Sequence, residues 1–138
     1  MDTGLDRQTD RDASYHMPFE LTWERRGVYR RYFGRSTIKE RQRSLDLICG
    51  NAAFTDLRYA ITDYLEVESF EVTPESNEET AALHIAPANM NPRIKIAAVV
   101  VDEEIIFWIQ RFISLGFTAL PYQIFSTVES ARFWIARQ

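Results

Sequence analysis

The stretch Ile94-Lys95-Ile96-Ala97-Ala98-Val99-Val100-Val101-Asp102 decides the fold class of this chain, and Tyr59-Ala60-Ile61-Thr62-Asp63 repeats its pattern. Each is a short apolar run, rich in β-branched residues, that stops at an aspartate and gives way to a different pattern. Such runs are typical of strands buried in a mainly parallel sheet. In such sheets, ligands bind beyond the carboxyl ends of the strands. The sequence therefore predicts that a functional site lies near Asp63 or Asp102.

An antiparallel hairpin precedes these strands. The alternation of apolar and polar residues over 19–24 predicts a first strand with one face in water. A turn at Arg26-Gly27 leads into a second strand that ends at Gly34, and Gly27 supplies the unusual backbone angle of the turn. The wet face of the first strand indicates that helices do not cover both faces of the sheet everywhere.

Helix start and stop signals alternate with the strands. Thr37 and Glu40 form a capping-box pattern before a first helix that stops at Gly50. After a loop over 66–72, the pair Thr73-Pro74 predicts an N-cap with proline in the first turn, and this second helix extends to about residue 89, with Pro87 disturbing its last turn.

Two more helices complete the chain. Asp102 caps a third helix, whose apolar side faces the sheet and contains Ile105, Ile106, Ile109, Phe112, Ile113 and Gly116. A last strand over 120–125 is followed by a fourth helix that begins with a capping box of Ser126 and Glu129. The predicted order is ββαβαβαβα, an α/β fold with a mixed, mostly parallel sheet of about five strands and about four helices.

Composition excludes several classes of protein. The chain has 138 residues, 46% of them hydrophobic, which suits one domain over residues 18–138, and residues 1–17 form a polar tail that we expect to be disordered. A net charge of −4 with interspersed signs argues against nucleic-acid binding. One cysteine, no apolar run long enough to span a membrane and no signal-peptide pattern predict a cytoplasmic protein without membrane insertion.

Four segments together resemble the STAS-like superfamily, which contains anti-sigma-factor antagonist domains and SpoIIAA-like proteins. The resemblance covers residue 19 to the end and is carried by the segments 23–28 (WERRGV), 54–59 (FTDLRY), 91–94 (NPRI) and 129–134 (ESARFW). It implies a single STAS-like α/β domain that acts as a non-enzymatic regulatory or protein-interaction module. Signalling members are phosphorylated in an Asp-Ser-Ser/Thr-Gly-like turn before the second helix.

That phosphorylation motif is absent from the corresponding segment 63–74 (DYLEVESFEVTP). Ser69 and Thr73 are the remaining hydroxyl candidates, since a phosphate is favoured at a helix N-terminus. Nearby glutamates would repel a phosphate, and helix capping alone explains Thr73. Asp63, Ser69 and Thr73 are therefore retained as a candidate functional surface, with the phosphorylation switch expected to be lost.

No set of residues predicts a catalytic or metal site. Asp63 is interpreted first as a structural residue that binds nearby amides, and a general base or cation ligand is the alternative. His84 is expected to be a partly buried structural histidine and Cys49 an inert core thiol. The scattered glycines form no phosphate-binding loop, so no cofactor is predicted.

The third helix carries a candidate interface. Phe107 projects opposite the apolar side, and Trp108 and Leu115 lie on one flank. Aromatic residues are enriched at interfaces, so this patch would suit a protein partner or a homodimer. The alternative is that a loop or the N-terminal tail covers it.

Three functions follow in order of preference. The first is a protein-interaction module that binds through the third helix or the surface near Asp63 and Thr73. The second is a domain that binds a lipophilic or anionic small molecule, since related folds hold ligands between sheet and helices. Its candidate aromatic residues are Tyr32, Phe33, Tyr59, Phe70 and Phe125. The third is an enzyme that uses Asp63 as an acid or base.

Overall fold

The computed structural model describes residues 18–137, so the predicted tail over 1–17 lies outside the described residues. Within residues 18–137, five strands form a sheet in the order β1-β2-β3-β4-β5; β1 is antiparallel to β2, and each later pair is parallel. The strands are β1 (Phe19–Glu24), β2 (Gly27–Ser36), β3 (Tyr59–Phe70), β4 (Lys95–Val99) and β5 (Tyr122–Phe125). The helices are α1 (Ile38–Cys49), α2 (Pro74–Leu83), α3 (Ile85–Met90), α4 (Glu103–Ser114) and α5 (Val128–Ala136), with a 3-10 turn at Ala52–Asp56. The predicted α/β fold class is confirmed, and so is the order of elements, except that α2 and α3 replace one predicted helix.

The two faces of the sheet are covered unequally. α1 and α4 pack on one face, where Ile48, Ile105 and Ile109 are buried against the strands, and α2 packs against α4. On the other face, α5 buries Ala131 against β3 and β4. β1 presents exposed polar residues on this second face, as the alternation in its sequence predicts.

The hairpin turn differs from the prediction. Arg26, not Gly27, has the left-handed backbone angle, with φ 61°. Gly27 is required for another reason, because a Cβ at this position would overlap the ring of Tyr59 on the neighbouring strand. The prediction found the right glycine but assigned it the wrong physical role.

Two strands are longer than predicted. β2 does not end at Gly34, which has φ 64° beside a register shift, but continues to Ser36. β3 does not end at Asp63 either; it continues to Phe70, so most of the predicted loop over 66–72 is strand. The shift in register lets β3 keep pairing with β2 beyond Asp63, and the outward-facing glutamates of this segment resemble a loop in sequence.

The helix caps are confirmed at three of the four predicted starts. The hydroxyl of Thr37 accepts a hydrogen bond from the N–H of Glu40, but the predicted capping box is incomplete, since Oε1 of Glu40 is buried without a hydrogen-bond partner among the described residues. Thr73 forms a capping box with Ser76. The carboxylate of Asp102 caps α4. The predicted fourth cap, Ser126 with Glu129, does not form.

Four details of the later elements were wrong. α5 is capped by Thr127 with Ser130 rather than by Ser126 with Glu129, and β5 begins at Tyr122 rather than at residue 120. The predicted second helix is broken at His84 into α2 and α3, because Pro87 lacks an N–H and its ring conflicts with the carbonyl four residues earlier. Of the predicted apolar side of α4, Ile113 is 37% exposed, since it lies near the end of the helix.

Candidate functional site

Asp63 lies inside the sheet, on the face that α5 covers, and is only 5% exposed. One carboxylate oxygen, Oδ1, accepts a hydrogen bond from the backbone N–H of Leu65 at 2.9 Å, and the other accepts one from the hydroxyl of Tyr29. Leu65 is at the shift in register between β2 and β3, where an extra residue interrupts the ladder. The carboxylate therefore satisfies a backbone donor that the irregularity leaves without a strand partner.

A polar network extends from Asp63 along this face. Burial, and then the bond to Asp63, raises the pKa of Tyr29 to about 12. Nearby, both carboxylate oxygens of Glu24 accept from Arg132 of α5 at 3.0 and 2.7 Å, and Glu24 also accepts from the hydroxyl of Tyr59 at 2.5 Å. The hydrogen bond from Arg132 holds the pKa of Glu24 below its usual value. These contacts join β1, β3 and α5.

The three residues of the predicted surface do not lie together. Ser69 is exposed near the end of β3, about 20 Å along the strand from Asp63, given the rise of an extended chain. Thr73 is the N-cap of α2, where its hydroxyl accepts from the N–H of Ser76 at 3.0 Å. The exposed glutamates at 66, 68 and 71 surround Ser69 in sequence, so a phosphate there would meet like charge.

The structure brings together two of the three predicted interface residues. Phe107 is 57% exposed on the outer side of α4, and its ring meets that of Trp108 edge to face, with the centroids 5.2 Å apart. Leu115, the C-cap of α4, is partly exposed and lies about 10 Å along the helix from Trp108. The patch is therefore centred on the aromatic pair.

Acidic side chains border this aromatic pair. Glu103 and Glu104 are exposed one helical turn before Phe107 and Trp108. On the adjoining α2, the side-chain amide of Asn77 donates to the carbonyl oxygen of Trp108 at 3.2 Å. We call this area the α2–α4 surface; besides the aromatic pair it contains Glu78, Glu103, Glu104 and Arg111.

A cavity of about 80 Å³ lies on the opposite face of the sheet from Asp63, between the strands and α1, α2 and α4. Aromatic side chains supply much of its wall: Tyr32, Tyr64, Phe70, His84, Trp108, Phe112 and Tyr122. Two arginines, Arg30 of β2 and Arg41 of α1, also line it. Of the predicted aromatic candidates, Tyr32 and Phe70 line this cavity, whereas Phe33, Tyr59 and Phe125 do not.

The two arginines are held by neutral groups. Arg30 donates to the hydroxyls of Thr62 and Ser44, at 2.9 and 3.0 Å for its Nη atoms. Arg41 donates to the hydroxyl and carbonyl of Ser36 and to the carbonyl of Glu71, and its guanidinium lies 3.9 Å from the ring centroid of Phe70. Burial lowers the pKa of Arg41 from its usual value. Among residues 18–137, neither arginine forms a salt bridge with a carboxylate.

His84 and Cys49 occupy structural positions. Nδ1 of His84 lies 2.7 Å from the carbonyl of Thr80, and its ring meets Phe112 edge to face, while burial lowers its pKa. Cys49 is partly buried beside the cluster that contains Val28, and burial raises the pKa of its thiol. Within the described part of the chain, no group of three or more His, Cys, Asp or Glu residues is placed to hold a metal ion.

Sequence reasoning missed both cavity arginines. Arg30 lies between Val28 and Tyr32 at two-residue spacing, so the period of the strand places all three on one face. Because Val28 and Tyr32 are apolar positions that face the core, an arginine between them is a signal for a polar group in the interior. No comparable pattern marks Arg41, whose place depends on how α1 crosses the sheet.

Two solved structures are similar in fold to this chain. A crystal structure of an uncharacterised protein from Shewanella loihica PV-4, of the DUF3478 family with a SpoIIAA-like fold, matches with a TM-score of 0.58 and 16% identity, over 86% of this chain and 93% of that one. The anti-sigma factor antagonist SpoIIAA in its unphosphorylated form matches with a TM-score of 0.58 and 13% identity, over 85% of this chain and 96% of that one. No family model matches the sequence, and no curated protein does. In the described residues, no helix is long and apolar enough to span a membrane.

Proposed function

We propose that this chain, which has the SpoIIAA-like fold, is a non-enzymatic, cytoplasmic regulatory module that binds a partner protein through the α2–α4 surface. The observation that carries the proposal is the exposed aromatic pair of Phe107 and Trp108 on α4. A large exposed aromatic side chain that a neighbouring aromatic ring holds in place is the kind of anchor around which interfaces form.

The charge around the anchor specifies the partner. Exposed glutamates on both helices border the pair, and Arg111 is the basic side chain among them, bound to Glu78 at 2.9 Å. A complementary partner would present lysine or arginine around an apolar pocket. A homodimer through the same surface is disfavoured, because a two-fold axis would bring these glutamates face to face.

The environment of Asp63 supports a role without catalysis. A general base must reach substrate, whereas this carboxylate is buried and both of its oxygens accept hydrogen bonds from the protein. The enzyme alternative is therefore the weakest of the three. The same contacts explain Asp63 as the residue that stabilises the irregularity in β3.

The chain offers a matched control for testing the surface. Phe133 on α5 is 69% exposed, and α5 covers the other face of the sheet. We would tag the protein in its native host, identify proteins that co-purify, and measure their binding to purified wild type, Phe107→Asp and Phe133→Asp. The proposal expects a partner with a basic surface whose affinity falls at least about tenfold for Phe107→Asp and is unchanged for Phe133→Asp.

Two results would contradict the proposal. One is equal binding by wild type and Phe107→Asp. The other is a concentration-dependent dimer in analytical ultracentrifugation that Phe107→Asp converts to a monomer, since this would assign the surface to self-association. Thermal unfolding of both variants checks that neither loss of binding comes from loss of the fold.

A further inference from the structure

We propose that the cavity between the sheet and helices α1, α2 and α4 binds a small aromatic carboxylate, with its carboxylate between Arg30 and Arg41 and its ring against the aromatic wall. This site goes beyond the proposed function, because it lies beneath the α2–α4 surface and shares only Trp108 with the residues that define that surface. The cavity has a volume of about 80 Å³ and is partly open to solvent.

The wall of the cavity carries two positively charged side chains. Arg30 and Arg41 both line it, and the lining residues include no aspartate or glutamate. Their hydrogen-bond partners in the described chain are hydroxyls and carbonyls, which satisfy N–H groups but do not neutralise charge. Both arginines are half-buried, and the Glu71 carboxylate acts on Arg41 from outside the cavity. A carboxylate bound inside the cavity would neutralise the positive charge that remains there.

The guanidinium groups keep donors for such an anion. Arg30 donates through Nε and both Nη atoms to two hydroxyls, and Arg41 donates through its two Nη atoms. A guanidinium has more N–H groups than these bonds use. Arginine binds carboxylates in a planar, two-point geometry, which selects a carboxylate over a spherical anion.

The aromatic side chains in the rest of the cavity wall favour a ligand with an aromatic ring. Phe112 and Tyr122 lie with their ring centroids 5.8 Å apart, and Tyr64 and Phe70 meet edge to face at 6.1 Å. Aromatic ligands make the same offset and edge-to-face contacts with such rings. A volume of about 80 Å³ offers room for roughly half a dozen water-sized groups, which is the scale of a single six-membered ring.

The test uses the full chain and three probes, which are an aromatic carboxylate, an uncharged analogue of the same size and a small inorganic anion. Isothermal titration calorimetry measures the binding of benzoate, neutral benzamide and inorganic phosphate to the wild type. Fluorescence provides a second signal, because Trp108 lines the cavity and a Trp108→Phe variant identifies its contribution. The proposal expects benzoate to bind at least about tenfold more tightly than benzamide, which lacks the negative charge, and than phosphate, which lacks the ring that contacts the aromatic wall.

Variants of neighbouring arginines show whether a loss of benzoate binding comes from the cavity or from a less stable protein. Arg30→Met and Arg41→Met keep the aliphatic stem and remove the charge, and both should weaken benzoate binding at least about tenfold. Arg31→Met is the matched control, because Arg31 lies on the opposite face of β2 and pairs with Glu20 and Glu66 at 3.1 and 2.6 Å. It should leave benzoate binding unchanged.

The affinities of the wild type for the three probes test the proposal even if an arginine variant does not fold. Absence of benzoate binding at tens of millimolar would overturn it, and so would equal affinity for benzamide or for phosphate. Equal weakening by Arg31→Met and Arg30→Met would also overturn it, because the effect would then follow stability and not the cavity.

Discussion

At the scale of single residues, close approach and burial explain positions that composition alone leaves ambiguous. Gly27 faces the ring of Tyr59 across the β2–β3 pair, and a side chain at residue 27 would occupy the space of that ring. Tyr59 cannot move freely, because its hydroxyl donates to Glu24 at 2.5 Å. The ring thus fills the gap that the glycine leaves, which is a known way to stabilise glycine in a strand.

We expect Gly27→Ala to lower the free energy of unfolding by about 1–3 kcal/mol, because the methyl group displaces the Tyr59 ring and breaks its bond to Glu24. Urea unfolding measures the change. In a Tyr59→Ala background the same substitution should cost less than half as much. Equal costs in the two backgrounds would show that the ring is not the cause.

The burial of His84 predicts a dependence of stability on pH. Burial lowers its pKa in the folded state below that of the unfolded chain, so the unfolded chain binds more protons as the pH falls through the ordinary histidine range. The stability that neutral His84 allows is therefore complete above about pH 6.5. Below that pH the free energy of unfolding falls, by at most about 1.4 kcal/mol per pH unit from this residue. Comparing urea unfolding of wild type and His84→Gln at pH 7.5 and 5.5 should show a smaller loss in the variant. Parallel pH profiles would contradict this assignment.

At the scale of elements, the extension of β3 past Asp63 determines what this residue does. A strand that ended there would place the carboxylate at the edge of the sheet, in reach of ligands. Instead β3 continues to Phe70, and the carboxylate binds the N–H of Leu65 and the hydroxyl of Tyr29 inside the structure. Its environment is that of a residue which stabilises a bulge.

We expect Asp63→Ala to destabilise the protein by about 2 kcal/mol, because it leaves a buried backbone donor and a tyrosine hydroxyl without partners. Tyr29→Phe, which removes only one bond, should cost about 1 kcal/mol. Glu66→Ala, on the same strand but exposed, should change stability by less than about 0.5 kcal/mol. Guanidinium unfolding measures all three, and a neutral Asp63→Ala would contradict the structural role.

At the scale of the whole molecule, a link between the first strand and the last helix holds the second face together. Arg132 of α5 binds both oxygens of Glu24 of β1, and its guanidinium lies 5.7 Å from the ring centroid of Tyr29. The two residues are 108 positions apart in sequence. Since α5 is the helix on this face in the described chain, the pair connects the open part of the sheet to the covered part.

A double-mutant cycle of Glu24→Gln and Arg132→Met should give a coupling energy of about 1 kcal/mol, at the upper end for exposed pairs, because the geometry has two points of contact. Thermal unfolding at low and high salt measures it, and the coupling should fall as salt rises. A coupling near zero at low salt would show that the pair contributes nothing to stability.

Local signals predicted the elements and most of their starts. The apolar runs at 59–63 and 94–102, the caps at Thr37, Thr73 and Asp102, and the alternation over 19–24 each depend on a few adjacent residues, so they can be recognised in the chain. Errors arose where the outcome depends on a distant partner. Gly27 depends on Tyr59, and the length of β3 depends on its pairing with β2.

The sequence by itself determined the α/β class, the order of strands and helices, and the exposed position of Phe107, because periodicity places side chains on faces without reference to the rest of the chain. Only the tertiary structure decided that Asp63 lies inside the sheet and that Arg30 and Arg41 meet at one cavity. These features join residues from separate elements, and their contacts exist only once the helices have packed on the sheet.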